Sequence, residues 1–492
     1  MNIKVIRYVL GLVLMIEAVL LLLPFIVGLI YQENTALAFL KVAAASFIVG
    51  FLLSRKKPSD FVFYLKEGCI TTALSWIVIS AVGALPFMIT GEIPHFIDAF
   101  FETVSGFTTT GASILKDVEA LSHASLFWRS FTHWVGGMGV LVFLLAIIPL
   151  SGGSNINLMK AESPGPSVGK LVPKIRSSAA ILYEIYFGMT LLQIVLLLFA
   201  KMDLFSALCM AFGSAGTGGF GIRNSSCADY SAAQQWIIAV FMMLFGVNFN
   251  FYYFALHKDI KRSLKMEEVR WYIIIIASST LLIFLQIGRF YGALEPRIRS
   301  AFFQVSSIIT TTGYSTTDFN AWSPNCQLIL LLIMCIGACA GSTGGGLKVS
   351  RTIILFKAVG REIRSYVHPK SVRKIRIDGE PVADETVNST MVYMAVYTAI
   401  FALSIFLVSL DGKSFMTSFS AVAATFNNIG PGFDLVGPAS NYSMLSGFSK
   451  FVLSFDMLAG RLEIFPMLLL FTPSVWKKTG KQETHNIKAR ML

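Results

Sequence analysis

Charged side chains are scarce in this chain. Asp, Glu, Lys and Arg make up 14% of its 492 residues, against roughly a quarter in a soluble globular domain. With a hydrophobic fraction of 55% and a mean hydropathy of +0.67, that deficit excludes a water-soluble fold. Metal-ligand spacing is missing among the six cysteines. Cys335 and Cys339 sit four apart inside an apolar run and read as small packing residues. Cys227 and Cys326 fall in loops expected outside, where a disulfide stays open. The first apolar run, residues 9–30, lacks a cleavage site and is too long for a signal-peptide core, so a retained helix is expected. Catalytic machinery is missing as well. His123, Ser130 and His133 lie close together, but no acid or base set recurs near them. The glycines of 216–221 follow no strand, as a dinucleotide fingerprint requires. These gaps count against an enzyme.

What is present is a set of apolar runs near 20 residues, enough to cross a hydrocarbon core, separated by short basic segments. The formal charge of +12 therefore orients a membrane protein rather than binding nucleic acid. Lys4 and Arg7 precede the run 9–30, and Arg55, Lys56 and Lys57 follow the run 36–53, so both groups belong inside. Beyond them, long runs at 69–90 and 123–150, 179–200 and 235–257, 271–290 and 327–357, and 390–410 and 448–472 form four pairs. Between the members of each pair lies a run too short to span: 97–106, 204–213, 298–309 and 415–425. Every second crossing ends in bases: Lys160 to Arg176, Lys258 to Arg270, Arg361 to Arg376, and Lys477 to Lys481. The expectation is an all-α polytopic membrane protein of ten spanning helices, two N-terminal helices plus four helix–pore-loop–helix repeats around a pseudo-fourfold cation pore. The divisions are 1–57, 58–176, 177–270, 271–385 and 386–492, with both termini cytoplasmic.

Each short run leads into a glycine motif. The clearest is Thr310-Thr311-Thr312-Gly313-Tyr314, echoed by Thr108-Thr109-Thr110-Gly111 and more loosely by Gly216-Thr217-Gly218-Gly219 and Asn427-Asn428-Ile429-Gly430. Aligned on Gly111, Gly218, Gly313 and Gly430, the copies stand 107, 95 and 117 residues apart. Four copies in matching surroundings make an internal repeat. Small hydroxyl residues closed by a glycine set backbone carbonyls in a row, as potassium channels do to replace an ion's hydration shell. No lysine or arginine enters these segments, and the half-helices point negative dipole ends at them, so the charge they favour is positive.

Two further features stand below that level. The run 327–357 holds Gly341-Ser342-Thr343-Gly344-Gly345-Gly346, and three adjacent glycines at about 1 kcal/mol each predict a helix break there. Arg461 lies inside the last apolar run, where a charge is expensive and by default functional. A structural pair with Asp456 or Glu463 is the alternative. Lys348 either adds to the positive charge or snorkels inward. Asp98, Glu102, Asp203, Glu295, Asp318 and Asp434 fall near the outer ends, where they either concentrate cations or cap helices.

On these motifs, and over essentially its whole length, the chain resembles a TrkH-type subunit of the Trk/Ktr/HKT superfamily of potassium transporters. The resemblance implies potassium as the substrate, held by carbonyls near Thr109, Thr110, Gly111, Thr217, Gly218, Thr311, Thr312, Gly313, Asn428, Ile429 and Gly430. It implies a gate at Gly341, Ser342, Thr343, Gly344, Gly345 and Gly346, with Arg461 as a barrier to cations. The unpaired N-terminal helices resemble the Trk branch. Glycine at 111 resembles potassium-selective members, since a serine there accompanies sodium preference in part of the plant branch; a sodium-preferring or sodium/proton-coupled transporter is the alternative. Also implied are a homodimer, the bacterial cytoplasmic (inner) membrane, and a separate cytosolic RCK-type, TrkA-like regulatory subunit. NAD(H) or ATP/ADP would bind that partner, not this chain.

Overall fold

The apolar runs are helices, and several begin where a side-chain oxygen takes up a free N–H group. Asp203, Ser231, Ser323, Ser414 and Ser446 each accept from the backbone three residues on. The computed structural model describes residues 1–58, 65–139, 175–257, 259–370 and 373–476. The expected crossing beyond residue 139, the basic residues Lys160, Lys170, Lys174 and Lys258, and the lysines of the tail lie outside the described residues.

Helices α1 (Ile3–Leu20) and α2 (Leu22–Ile30) form one apolar stretch that turns back through α3 (Ala36–Ser54). Gly11 and Gly50 let α1 and α3 touch backbone to backbone, because a Cβ on either would collide with the carbonyl of the other. After them one pattern recurs four times: a long helix, a short one, an extended segment and a second helix. The first set is α4 (Leu65–Thr90), α5 (Phe96–Phe107) and α6 (His123–Gly137). The second is α7 (Ile175–Phe199), α8 (Leu204–Gly216), α9 (Ala232–Phe245) and α10 (Phe249–Leu256), followed by α11 (Ile260–Lys265). The third is α12 (Glu267–Gln286), α13 (Leu294–Ile309), α14 (Pro324–Ile336) and α15 (Val349–Val367). The fourth is α16 (Asp384–Ser409), α17 (Phe415–Phe426), α18 (Gly447–Arg461) and α19 (Phe465–Leu470). Between the third and fourth, β1 (Arg376–Ile377) and β2 (Glu380–Pro381) make a minimal hairpin, the only strands among the described residues.

Polarity runs inside out, as a bilayer requires. Leu192, Ile273, Leu285 and Phe406 face outward, whereas Thr110, Thr217, Thr312, Gln304 and Asn428 are fully buried. Among the described residues, six helices are long and apolar enough to cross a membrane, or seven if α9 and α10 count as one broken span.

The second helices depart from expectation. A single break was expected, in 327–357. Instead α9 and α10 are bent by 91°, and α18 stops at Arg461, ahead of left-handed backbone at Glu463 and Ile464. The cause is close packing against the ends of the short helices. A Cβ on Gly136 would strike the Phe107 carbonyl, one on Gly246 the Thr310 side chain, and one on Gly460 the Phe426 carbonyl. In the first, second and fourth repeats the second helix thus meets the end of a short helix, and in the second and fourth it bends or stops there. Cys227 and Cys326 are both buried free thiols, which leaves no disulfide between them.

Candidate functional site

The short helices run 12, 13, 16 and 12 residues, roughly 18–24 Å at 1.5 Å per residue. All four end in the glycine motifs. There the backbone turns left-handed at Thr109, Thr217, Thr311 and Asn428, with φ of 55°, 53°, 61° and 57°. For β-branched threonine this region is an outlier, costing of order 1–3 kcal/mol per residue, of the kind found at ligand clamps and active sites. Two residues on, glycine takes φ of 78°, 81°, 84° and 94° at Gly111, Gly219, Gly313 and Gly430.

This repeated backbone corrects the alignment of the second motif. The equivalent of Gly111 is Gly219; Gly218 matches Thr110, Thr312 and Ile429. Two adjacent glycines concealed the one-residue shift, since sequence does not say which must be left-handed.

Amide N–H groups in these segments point back to the short helices. Thr110 donates to Ser105 O at 2.9 Å, Gly218 to Gly213 O, Thr312 to Ser307 O and Ile429 to Ala424 O, each of these at 2.8 Å. With the N–H groups engaged behind, the carbonyls of the same four residues meet in a ring. A Cβ on Gly111 would collide with the Gly218 carbonyl oxygen, one on Gly219 with Thr312 O, one on Gly313 with Ile429 O, and one on Gly430 with Thr110 O. Each segment therefore lies against the next and the fourth closes on the first. Asn428 Nδ2 reinforces that closure by donating to Thr110 Oγ1 at 3.0 Å. The four left-handed glycines line one cavity of about 110 Å³.

Neighbouring side chains brace the ring. His133 Nδ1 lies 2.7 Å from Gly106 O and its Nε2 accepts from Phe220 N–H at 3.1 Å, so the imidazole is neutral with its proton on Nδ1. Tyr314 OH donates to Phe220 O at 3.2 Å and Tyr442 OH to Gly430 O at 2.6 Å. The acids expected near the outer ends are mostly engaged in structure. Glu102 is buried against Arg129 at 2.8 Å, Asp98 holds Lys450 at 2.6 Å, and Asp203 caps α8. Glu295 pairs with Arg299, and Asp318 caps the turn at Asn320. Asp434 accepts from the Ser414 and Thr417 hydroxyls, which hold its carboxyl below the usual aspartate range.

On the opposite side of the ring lies the glycine-rich loop. Helix α14 ends at Ile336, and 337–348 is irregular backbone with left-handed residues at Gly337, Gly341, Gly346 and Lys348. The loop packs on all sides. Gly345 N–H donates to Thr311 Oγ1 at 2.6 Å, Phe249 N–H to Gly341 O at 3.0 Å, and Cys339 N–H to Gly246 O at 3.1 Å. A Cβ on Gly344 would press on Thr310 O and one on Gly345 on Asn427 O. Lys348 turns into the loop and donates to Gly344 O and Gly345 O, rather than reaching the interface. Arg461 donates to Thr343 O at 2.8 Å, Gly136 O at 2.5 Å and Gly137 O at 2.7 Å, with Thr109 Oγ1 at 3.4 Å. Its expected carboxylate partners are placed elsewhere: Glu463 pairs with Arg351, and Asp456 accepts from Ser404 at 2.7 Å.

Comparison with known proteins identifies the architecture. The TrkH family, described as cation transport protein, matches residues 35–478. The chain belongs to the TrkH family. It is 34% identical over 490 residues to the Trk system potassium uptake protein TrkH of Escherichia coli K12, covering 97% of this chain and 100% of that one. It is 28% identical over 478 residues to the Trk system potassium uptake protein TrkI of Halomonas elongata, covering 96% of each. The crystal structure of the potassium transporter TrkH from Vibrio parahaemolyticus superposes with a TM-score of 0.86 at 32% identity, over 97% of this chain and 100% of that one. A TrkH-family chain is a membrane cation transporter and not an enzyme, in keeping with a His133 whose two nitrogens are committed to backbone partners.

Proposed function

We propose that this chain carries potassium ions across the membrane through the ring formed by its four glycine motifs. The observation that carries the reading is the cyclic contact of Thr110, Gly218, Thr312 and Ile429 carbonyls with the glycine of the preceding motif. A ring of backbone oxygens substitutes for an ion's hydration shell, and the short helices aim their C-terminal dipole ends at it. Thr109, Thr217, Thr311 and Asn428 supply the next layer below. The relatives named as potassium uptake proteins support potassium as the ion, and Gly111 favours it over a sodium-preferring reading.

In this reading the divisions after residues 57, 176, 270 and 385 separate the N-terminal pair from four pore units, with ten crossings in all. The loop Gly341–Gly346 is the gate, since it fills the space under the ring. Arg461 is its electrostatic partner: a fixed positive charge beside the ion route opposes a cation by a few kcal/mol at an effective dielectric near 20. The basic segment from Arg361 to Arg376 sets the cytoplasmic side. It is also where a nucleotide-binding cytosolic regulator would dock, on a homodimer in the bacterial inner membrane.

The test is radioactive rubidium uptake into potassium-loaded liposomes containing the purified chain. Uptake above that of protein-free vesicles, suppressed by external potassium more than by sodium, is the expected result. Uptake suppressed equally by both ions would overturn the potassium assignment.

A further inference from the structure

Helix α15 begins at Val349 with no cap of its own. Its N-cap position is Lys348, left-handed at φ 78°, whose side chain turns back into the glycine-rich loop. The first N–H groups of a helix need an acceptor when buried; Val349 N–H finds Ala338 O at 3.0 Å, and for Ser350 N–H the acceptor comes from another helix. Glu268, in the first turn of α12, is 7% exposed. Its Oε1 accepts from Ser350 N–H at 3.0 Å and also from Ala340 N–H at 2.7 Å. Ala340 stands just before the loop and Ser350 just after it. One carboxylate oxygen therefore pins both ends of the segment. The other oxygen accepts from Asn248 Nδ2 at 3.3 Å, on the bend between α9 and α10.

The pinning residue is itself tied to the surface hairpin. Asp378, at the turn between β1 and β2, accepts from Glu267 N–H at 2.5 Å. The turn is Asp378-Gly379 with φ of 55° and 86°, both left-handed as a tight two-residue hairpin turn demands. Lys357, on α15, binds the Glu267 carboxylate at 2.6 Å and Arg376 O at 2.7 Å. Hairpin, α12 and α15 thus converge on the residue next to Glu268.

We propose that Glu268 is the latch of the glycine-rich loop, a positioning residue that holds the loop closed by binding both of its flanks. Movement of the Asp378 hairpin shifts the N-terminus of α12 and with it the latch. This rests on the loop being the gate. Charge-assisted hydrogen bonds from one oxygen to two N–H groups are strong, and losing them frees the loop without touching the carbonyl ring. An acid at a helix N-terminus is ordinarily stabilising to its own helix; Glu268 instead serves the start of α15 and the end of the segment after α14.

The experiment is rubidium uptake without any regulator, in liposomes holding full-length wild type, Glu268→Ala, Glu268→Gln, Asp378→Ala, a deletion of residues 342–345, and the deletion combined with Glu268→Ala. The deletion should raise uptake. Glu268→Ala should raise it roughly tenfold, the scale of losing hydrogen bonds to a charged group. Glu268→Gln keeps one oxygen for both N–H groups but loses the charge and sets its amide N–H against Asn248 Nδ2, so it should give a rise smaller than that of Glu268→Ala. Asp378→Ala should also give a smaller rise. In the deleted background Glu268→Ala should add nothing, because the latch has nothing left to hold. A silent deletion sinks the gate reading. An active deletion with unchanged uptake in Glu268→Ala sinks the latch alone, as does an equal increment from Glu268→Ala in both backgrounds. If Glu268→Ala fails to fold, Asp378→Ala decides at an exposed position: unchanged uptake there overturns the proposal and raised uptake upholds it.

Discussion

Arg461 donates to the Thr343 carbonyl at 2.8 Å and reaches Thr109 Oγ1 at 3.4 Å. A cation at the end of the last repeat thereby ties the glycine-rich loop of the third repeat to the motif of the first. Removing it should act on transport and on stability together. Arg461→Ala leaves the buried carbonyls of Gly136, Gly137 and Thr343 without this donor, at about 1–3 kcal/mol for each one left unmet. The expected outcome is a lower thermal midpoint in detergent and a higher single-channel conductance. Conductance no greater than wild type would reduce the arginine to a structural clamp.

The seat of the loop gives a second expectation. A methyl on Gly345 would stand 2.5 Å from Asn427 O and 3.0 Å from the Asn428 Cβ. Gly345→Ala cannot settle beneath the ring as the glycine does, so unregulated flux should rise. Unchanged rubidium uptake in folded Gly345→Ala would mean that the loop has another resting place.

Legibility in the sequence followed the local signal. The short helices were readable because a brief apolar run before a glycine motif recurs, and α8 and α17 begin at the expected residues. Gly341–Gly346 was readable because adjacent glycines weaken a helix whatever surrounds it. The breaks after Phe245 and Arg461 were not, since they arise from contact with short helices distant in the chain. Glu268 was hidden for the same reason. Among the bases from Lys258 to Arg270 it reads as a solvated residue, and only the fold brings it to Ala340 and Ser350. Gly218 and Gly219 differ in backbone angle alone.

Asp434 allows a test by pH. Hydrogen bonds from the Ser414 and Thr417 hydroxyls hold its carboxyl low, so its contribution is present above the ordinary aspartate value near 3.9 and is lost as pH falls through the depressed folded value. Asp434→Asn should therefore lower the thermal midpoint at neutral pH, with the gap from wild type closing below about pH 4. A constant gap across that range would assign the loss to shape instead of charge.

Arg361 pairs with Asp384 at 3.3 Å on an exposed face, so that bond contributes about 0–1 kcal/mol. Charge reversal at Arg361 and Arg364 should leave folding intact and weaken capture of the proposed cytosolic regulator. Full co-purification at physiological salt would remove both residues from the docking surface.

The most direct test of the carbonyl ring is the reversal potential under opposed potassium and sodium gradients, recorded from wild type and Gly111→Ser. Gly111 sits at φ 78° with the Gly218 carbonyl where a Cβ would go. Any side chain there displaces one oxygen of the ring. The account predicts that the wild-type potential follows the potassium gradient and that Gly111→Ser moves it toward the sodium value. A wild-type potential indifferent to potassium, or an unshifted one in Gly111→Ser, would contradict it.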